Sequence, residues 1–301
     1  PIPIVVVKNG EGPTALFTSG NHGDEYEGQV ALTNLAKSLD PAKIKGRVII
    51  LTMANYPAAL AGRRVSPIDD LNMNRIFPGD PDGTVTRQIA YYIDSELIPL
   101  ADFVMDLHSG GSSLMYVPCA LATQSSDPAL YQKQLAALRA FGAPFTYIQG
   151  GAQGQGGNQT LGSGAERRGK IALGSELGGT GTVTPAGLAI AERGVRNVLV
   201  HLGILPQSEW VEPPSPTRFL DVRGQDYYVY APENGVFEPL VELGDRVTPG
   251  TPAARIHFTE TPWLPPVEIT FKAAGLVMCK RIPARTKRGD CLFHLASDLQ
   301  V

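Results

Sequence analysis

The sequence predicts an α/β fold in which a mixed sheet is flanked by helices, followed by a small C-terminal all-β region. Through the first two thirds of the 301-residue chain, short β-branched apolar runs alternate with amphipathic helical patterns. A stiff break rich in proline follows at 213–216. Beyond it, short apolar runs are separated by many Gly and Pro residues, which is typical of β structure. We therefore predict two domains, 1–212 and 213–301.

Hydrophobic periodicity defines the elements of the first domain. Five β-branched apolar runs predict strands, at 4–7, 15–18, 48–52, 103–107 and 171–175. Amphipathic patterns predict helices at 28–39, 86–98, 128–141 and 184–202. This alternation predicts a largely parallel or mixed sheet covered by helices.

The C-terminal region contains two turn-rich segments, 241–250 and 274–292, that resemble the halves of a biotinyl/lipoyl-like β-sandwich. The hairpin between them, 259–267, contains no Lys that could carry a lipoyl or biotinyl group. We therefore predict a structural or substrate-shaping cap rather than a carrier module.

Composition limits the classes of partner. A hydrophobic content of 43% predicts a sizeable core, and the net charge of −3 argues against binding to nucleic acid or to an anionic membrane. No apolar run approaches the roughly 20 residues needed to cross a bilayer. Cys119, Cys279 and Cys291 are widely spaced and form no CxxC pair, which favours a reducing compartment such as the cytoplasm. The sequence does not decide whether the chain forms a homo-oligomer.

The run Gly-Asn-His-Gly-Asp-Glu at 20–25 is the most informative motif. It places His22 and Glu25 three residues apart, directly after the predicted strand 15–18. A strand that ends in a glycine-rich turn delivers the following side chains to the edge of a sheet, where α/β enzymes place their chemistry. Imidazole nitrogen and carboxylate oxygen are zinc ligands, so the two side chains could share one ion. Alone, this short motif arises often by chance.

His108 is the predicted third ligand, because the apolar strand 103–107 ends in Asp-Leu-His before a pair of glycines. The strand period of two places Asp106 on the same side as His108, as an outer partner of the ring. Two His and one Glu leave a zinc position open for water, which is the catalytic arrangement. An isolated His at a strand end is more often structural, and the presence of His22 and Glu25 reverses that preference.

Glu176 is the candidate general base, since it ends another apolar strand and is followed by glycines. A base is needed to take a proton from zinc-bound water and return it to the leaving nitrogen. The alternative is a carboxylate that caps a helix or pairs with a cation. We favour the catalytic interpretation because polar groups are rarely buried without a function.

The segment 62–79 is the candidate anion-binding loop, with Arg63, Arg64 and Arg75 beside Asn72 and Asn74. Guanidinium groups recognise carboxylates and developing oxyanions. The alternative is a solvated turn in which nearby aspartates neutralise the arginines.

Other candidates are weaker. The glycine-rich run 150–157 predicts either a lid over the site or a plain surface loop. His201 lies on a predicted helix, and His257 and His294 lie in the β region without other ligand types nearby, so none of the three is placed in the site.

In combination, these motifs resemble the succinylglutamate desuccinylase/aspartoacylase family, a branch of the zinc carboxypeptidase-like fold. The matching positions are 20–25, Arg64, 72–79, 106–108 and 176–178, and the downstream β region also agrees with the family's two-domain plan. Within the family, the opening of the chain is similar to the N-alpha-acetyl-diaminobutyrate deacetylases.

The resemblance implies a role for each matching residue. One zinc ion would be held by His22, Glu25 and His108, with Glu176 as general base and acid. Arg64 would polarise the scissile carbonyl, and Asn74 and Arg75 would hold a substrate carboxylate. Two points stay open: Asn72 stands where the family usually has Asp, and Arg63 competes with Arg64 for the carbonyl.

The function that the resemblance implies is zinc-dependent removal of an acyl group, most simply acetyl, from a small-molecule N-acyl amino acid. N-alpha-acetyl-diaminobutyrate is the specific candidate. The nearest alternative is a metallocarboxypeptidase that acts on short peptides with the same zinc set. A non-catalytic binding protein would be expected to have lost a ligand or the base, and here all are present.

Overall fold

A computed structural model describes residues 1–150 and 157–301 of the chain. The strands of the N-terminal part are β1 (Val5–Asn9), β2 (Thr14–Ser19), β3 (Gly46–Leu51), β4 (Phe103–His108), β5 (Leu114–Tyr116), β6 (Cys119–Thr123), β7 (Phe145–Gln149) and β8 (Ile171–Glu176). The helices are α1 (Glu27–Ser38), α2 (Tyr56–Ala61), α3 (Val85–Tyr92), α4 (Pro128–Phe141), α5 (Leu161–Arg167) and α6 (Pro185–His201). The C-terminal strands are β9 (Arg218–Asp221), β10 (Tyr228–Tyr230), β11 (Gly235–Pro239), β12 (Arg246–Val247), β13 (Pro252–His257), β14 (Val267–Thr270), β15 (Gly275–Arg281), β16 (Arg285–Thr286) and β17 (Cys291–Asp298).

The main sheet is mixed, as predicted, and runs in the order β1-β3-β2-β4-β8-β6-β7-β9-β17-β15-β12. Strands β3, β2, β4 and β8 are mutually parallel, whereas β1 and β6 pair antiparallel to their neighbours at β3 and β8. Every residue of β2 is buried, because helices cover both faces of a sheet of this kind. The carboxyl ends of β2, β4 and β8 therefore meet at one edge.

The five predicted strands are confirmed, with ends that differ by at most two residues, and so are three of the four predicted helices. Helix α4 has the predicted bounds: the Asp127 side chain caps it by accepting from the Ala129 N–H at 2.8 Å, and Gly142 ends it in the left-handed region at φ 67°. The predicted helix 86–98 is interrupted, because α3 ends at Tyr92 and continues as a π-helical turn, Ile93–Leu97.

The C-terminal region is β-rich, as predicted, and it continues the main sheet. Strand β9 pairs parallel with β7, and β17 pairs with β9. Strand β5 from the N-terminal part pairs antiparallel with β15. A second sheet, in the order β14-β13-β11-β16, packs around the core cluster that includes Phe237, Phe271 and Phe293. These pairings place β17 and β10 beside the N-terminal part.

Two further observations concern single segments. Within residues 1–150 and 157–301, the helices are all too short or too polar to cross a membrane. Most of the run 150–157, for which a lid or a surface loop is predicted, lies outside the described residues.

Candidate active site

Three parallel strands deliver the predicted ligands and base to one place. His22 and Glu25 lie in the loop after β2, His108 is the last residue of β4, and Glu176 is the last residue of β8. His108 and Glu176 are direct partners in the β4–β8 register. Ligands of α/β sheets bind outside the carboxyl ends of the strands, so this edge is the expected position for a site.

The loop after β2 is held in position by α2. The backbone N–H of Gly23 donates to the carbonyl of Arg63 at 2.9 Å, directly after that helix. A side chain at position 23 would not fit, because its Cβ would lie 2.0 Å from the carbonyl oxygen of Ala58. This close approach brings Arg64 beside Glu25, with 3.2 Å between the guanidinium and the carboxylate.

His22, Glu25 and His108 converge on one point. The Nδ1 atom of His22 lies 2.8 Å from one Glu25 oxygen, and the Nδ1 atom of His108 lies 2.7 Å from the other. The ligand atoms of the three side chains all lie within 4.8 Å of one another. His22 and Glu25 are almost fully buried, at 4% and 3% exposure. The structure therefore brings together the three residues predicted as ligands.

The other ring nitrogen of each histidine has an outer partner. The Nε2 atom of His108 lies 2.7 Å from Asp106, whose carboxylate also accepts from Thr18 and Asn21. The Nε2 atom of His22 lies 3.0 Å from Oδ1 of Asn72. Such outer contacts orient the rings of metal-binding histidines.

Asn72 is the outer contact of the His22 ring, at the position where the family usually has Asp. Its Oδ1 also accepts from the backbone N–H of Asn74 at 3.0 Å, which identifies this atom as the oxygen. An amide oxygen only accepts, so the Nε2 atom of His22 carries the proton and Nδ1 has a lone pair. That lone pair faces a Glu25 oxygen at 2.8 Å, an arrangement that a divalent cation stabilises. The donor set therefore fits a metal ion.

Electrostatics favour the charge states that metal binding requires at Glu25 and His22, but they favour a proton at His108. Burial would raise the pKa of Glu25, but His22 and His108 facing it hold that pKa far below its usual value. Burial lowers the pKa of His22, which keeps its ring neutral. Burial also lowers the pKa of His108. The Asp106 and Glu25 carboxylates outweigh this effect and raise the pKa of His108 well above its usual value. A metal ion would therefore compete with a proton at His108.

Glu176 differs from Glu25 in its environment. Burial, reinforced by the nearby Glu25 carboxylate, raises the pKa of Glu176 to about 8. Its Oε2 atom is buried and has no hydrogen-bond partner in the part of the chain that the structure describes. A carboxyl group that is unpaired and titrates near neutral pH is suited to accept and return a proton.

The predicted anion-binding loop supplies three cavity-lining side chains, Arg64, Asn74 and Arg75. Asn74 Oδ1 accepts from the backbone N–H of Leu161 at 2.9 Å, which ties the loop to α5. An Nη atom of Arg75 donates to the Asn74 carbonyl at 2.7 Å. Arg64 lines the cavity, whereas the side chain of Arg63 is exposed and is not part of its wall.

The cavity has a volume of about 440 Å³, and one wall comes from the C-terminal region. His294 on β17 lines it and stacks on Tyr228 of β10, with ring centroids 4.6 Å apart. His294 is 3% exposed, and burial lowers its pKa to about 4. Neither ring nitrogen has a hydrogen-bond partner among the described residues. His294 was not placed in the site from the sequence, although a His within the buried apolar run 292–296 was the available signal.

Comparison with known proteins agrees with this geometry. The model of the succinylglutamate desuccinylase/aspartoacylase catalytic domain matches residues 11–202. The chain belongs to this family. The resemblance predicted from the motifs is thereby confirmed. One relative is the N-alpha-acetyl-L-2,4-diaminobutyric acid deacetylase of Halomonas elongata, which is 44% identical to this chain over 295 residues. The match covers 98% of this chain and 85% of the relative.

Solved structures of similar proteins share the mixed α/β fold. A succinylglutamate desuccinylase/aspartoacylase from Rhodobacter sphaeroides matches with a TM-score of 0.92 and 42% identity, covering 100% of this chain and 90% of that one. The product-bound structure of the ectoine utilization protein EutE (DoeB) from Ruegeria pomeroyi matches with a TM-score of 0.92 and 42% identity, covering 98% of this chain and 89% of that one. The family assignment therefore extends over both the N-terminal part and the C-terminal β region.

Proposed function

We propose that this family member is a zinc-dependent amidohydrolase that removes the acyl group from an N-acyl amino acid, with N-alpha-acetyl-diaminobutyrate as the specific substrate. The observation that carries the proposal is the Glu176 carboxyl group, whose Oε2 atom has no hydrogen-bond partner among the described residues, beside the convergent donors His22, Glu25 and His108. The Halomonas elongata relative is named as a deacetylase of this diaminobutyrate compound, which supports the choice of substrate.

His22, Glu25 and His108 would hold the metal, with Asp106 and Asn72 orienting the two rings. When bound at such a centre, zinc supplies Lewis acidity, which lowers the pKa of water to about 7 and polarises a carbonyl oxygen. Two imidazoles and one carboxylate form a catalytic rather than a structural donor set, since a fourth position stays open.

Glu176 moves the proton in this proposal. It accepts a proton from the attacking water at its free Oε2 atom and then returns it to the departing amine nitrogen. Arg64 lies beside the metal ligands and donates to the oxyanion that develops on the scissile carbonyl. One well-placed donor of this kind contributes about 3–4 kcal/mol to the stability of the transition state.

Arg75, together with Asn74, is proposed to bind the free α-carboxylate of the substrate, because both side chains line the same cavity. We expect Arg75→Ala to raise KM roughly 10- to 100-fold, since a charge-assisted hydrogen bond is lost. The metal content should be unchanged. Steady-state kinetics with an N-acyl amino acid, together with metal analysis, measure both effects.

Arg63→Ala is the matched control, since that side chain is exposed and outside the cavity wall. It should leave KM unchanged. An unchanged KM in Arg75→Ala would contradict the assignment of the clamp.

We also propose that residues 213–301 form a biotinyl/lipoyl-like domain that caps the cavity. Tyr228 and His294 support this proposal, because both come from this region and both line the wall. A cap admits a small N-acyl amino acid and excludes a peptide chain. Free thiols at Cys119, Cys279 and Cys291 support a cytoplasmic location.

A substrate panel tests the function. The zinc-loaded protein is assayed against N-acetyl, N-succinyl and N-formyl amino acids and against short peptides with a free C-terminus. We expect turnover of an N-acyl amino acid and none of the peptides. Cleavage of the peptides would support the metallocarboxypeptidase alternative and would contradict the capping role.

A further inference from the structure

A fourth acidic side chain, Glu166, lines the cavity on α5. This helix is fixed at its start, where Thr160 and Ser163 form a reciprocal capping box. The backbone N–H of Leu161 donates to Asn74 at 2.9 Å, which couples α5 to the proposed carboxylate clamp. Leu161 and Ala165 are fully buried, so the helix presents Glu166 to the cavity on a rigid support.

The other acids of the cavity wall already have partners or roles. Glu25 contacts both predicted histidine ligands, Asp106 orients His108, and Glu176 is the proposed base. Glu166 takes part in no ion pair within the described ranges 1–150 and 157–301. Its neighbour Arg168 pairs instead with Asp94.

Among the residues that the structure describes, Glu166 has no strong counter-charge nearby. Burial raises the pKa of Glu166 to about 7, against a hydrogen bond from Thr123 and a weak attraction to Arg167. A carboxylate that is partly removed from water is stabilised most by a cation that binds next to it. The cavity wall therefore contains a position that favours a cationic group of a ligand.

The length of backbone between the two positions is comparable with the reach of the proposed substrate. Thr123, beside Glu166, lies four residues along β6 from Cys119, which is the register partner of Glu176. Four strand residues span about 13 Å. In an extended N-acyl diaminobutyrate, the scissile carbonyl carbon and the side-chain nitrogen are about 6 Å apart, and a hydrogen bond at each end extends this to about 12 Å.

We propose that Glu166 binds the side-chain ammonium group of the substrate and so makes the enzyme selective for N-acyl diamino acids over neutral N-acyl amino acids. This proposal rests on the deacylase function proposed above. A neutral side chain would leave the Glu166 carboxylate desolvated and unpaired, and a site built for a polar partner rejects analogues that lack it.

The test compares N-alpha-acetyl-diaminobutyrate with N-acetylnorvaline, in which a methyl group replaces the ammonium group. We expect kcat/KM of the unmodified enzyme to favour the diaminobutyrate compound by roughly 10- to 100-fold. In Glu166→Gln this ratio should fall to within a few-fold of unity. Both substrates are measured on one preparation, so any fraction of misfolded protein cancels from the ratio.

Product binding gives a second readout that does not depend on turnover. Calorimetry should show that Glu166→Gln weakens the binding of diaminobutyrate but not that of 2-aminobutyrate. Glu192→Gln is the matched control, since Glu192 lies on α6, bonded to Asn34 and outside the cavity wall. It should leave the ratio unchanged.

The outcomes separate the two proposals. If Glu166→Gln keeps the full preference for the diaminobutyrate compound, the role of Glu166 is overturned while the deacylase function stands. If the unmodified enzyme hydrolyses neither compound and cleaves peptides instead, both proposals are overturned.

Discussion

Glu176→Gln is expected to lower kcat by roughly 10²- to 10⁴-fold while the protein still binds its metal ion. Glutamine has nearly the same shape as glutamate, but it cannot accept the proton of the attacking water. The hydrogen bonds of the outer partners Asp106 and Asn72 to the two histidines do not involve Glu176, so the three donors should keep their geometry. Steady-state kinetics and metal analysis of the purified variant measure the two effects separately.

Glu192→Gln again serves as the control for this experiment, because it makes the same chemical change on a surface helix. Its kcat should equal that of the unmodified enzyme. A Glu176→Gln variant that keeps its metal and retains nearly full activity would refute the assignment of Glu176 as the base.

His108→Ala is expected to lose stoichiometric metal binding and to lower kcat/KM by more than about a thousandfold. The substitution removes one of three convergent donors and leaves Asp106 with only Thr18 and Asn21 as partners. Metal content after dialysis and kcat/KM are the measurements. A thermal melt shows whether the variant is folded.

His201→Ala is the control for this second prediction, since His201 ends α6 on the exposed surface. It should bind metal and turn over substrate like the unmodified enzyme. A folded His108→Ala variant with full metal content would show that the ion binds elsewhere.

The part of the site that the sequence predicts is the part formed by strand ends. β2, β4 and β8 are buried apolar runs, and each is followed by polar residues at a glycine turn. Adjacent parallel strands end at the same edge of a sheet, so runs that are far apart in sequence place His108 and Glu176 opposite each other. Local pattern and one topological rule were therefore sufficient to predict that the candidate ligands and the candidate base lie together.

The cavity wall that comes from the C-terminal region could not be predicted from the sequence, because it depends on how the C-terminal strands join the sheet. A period of two shows that β17 is buried, but it does not show which strand lies beside it. His294 reaches the cavity only because β17 pairs with β9, β10 and β15. Glu166 lies on the short helix α5, and a single acid on a short helix shows no pattern that distinguishes a cavity wall from an exposed surface.

Asn72 shows the limit of reasoning from a motif. The family usually has Asp at this position, so the sequence alone did not show what Asn72 does. The structure places the amide oxygen of Asn72 3.0 Å from Nε2 of His22. Orienting a ring requires an acceptor rather than a negative charge, so an amide oxygen is sufficient.

Titration of the metal-free protein with zinc tests the central claim most directly. The protein is stripped with a chelator, dialysed, and assayed for acetate release from N-alpha-acetyl-diaminobutyrate after each addition of zinc. The proposed mechanism predicts no activity without metal, and a linear rise that stops at about one equivalent of zinc per chain. Full activity in the metal-free protein, or none at any zinc concentration, would contradict the mechanism.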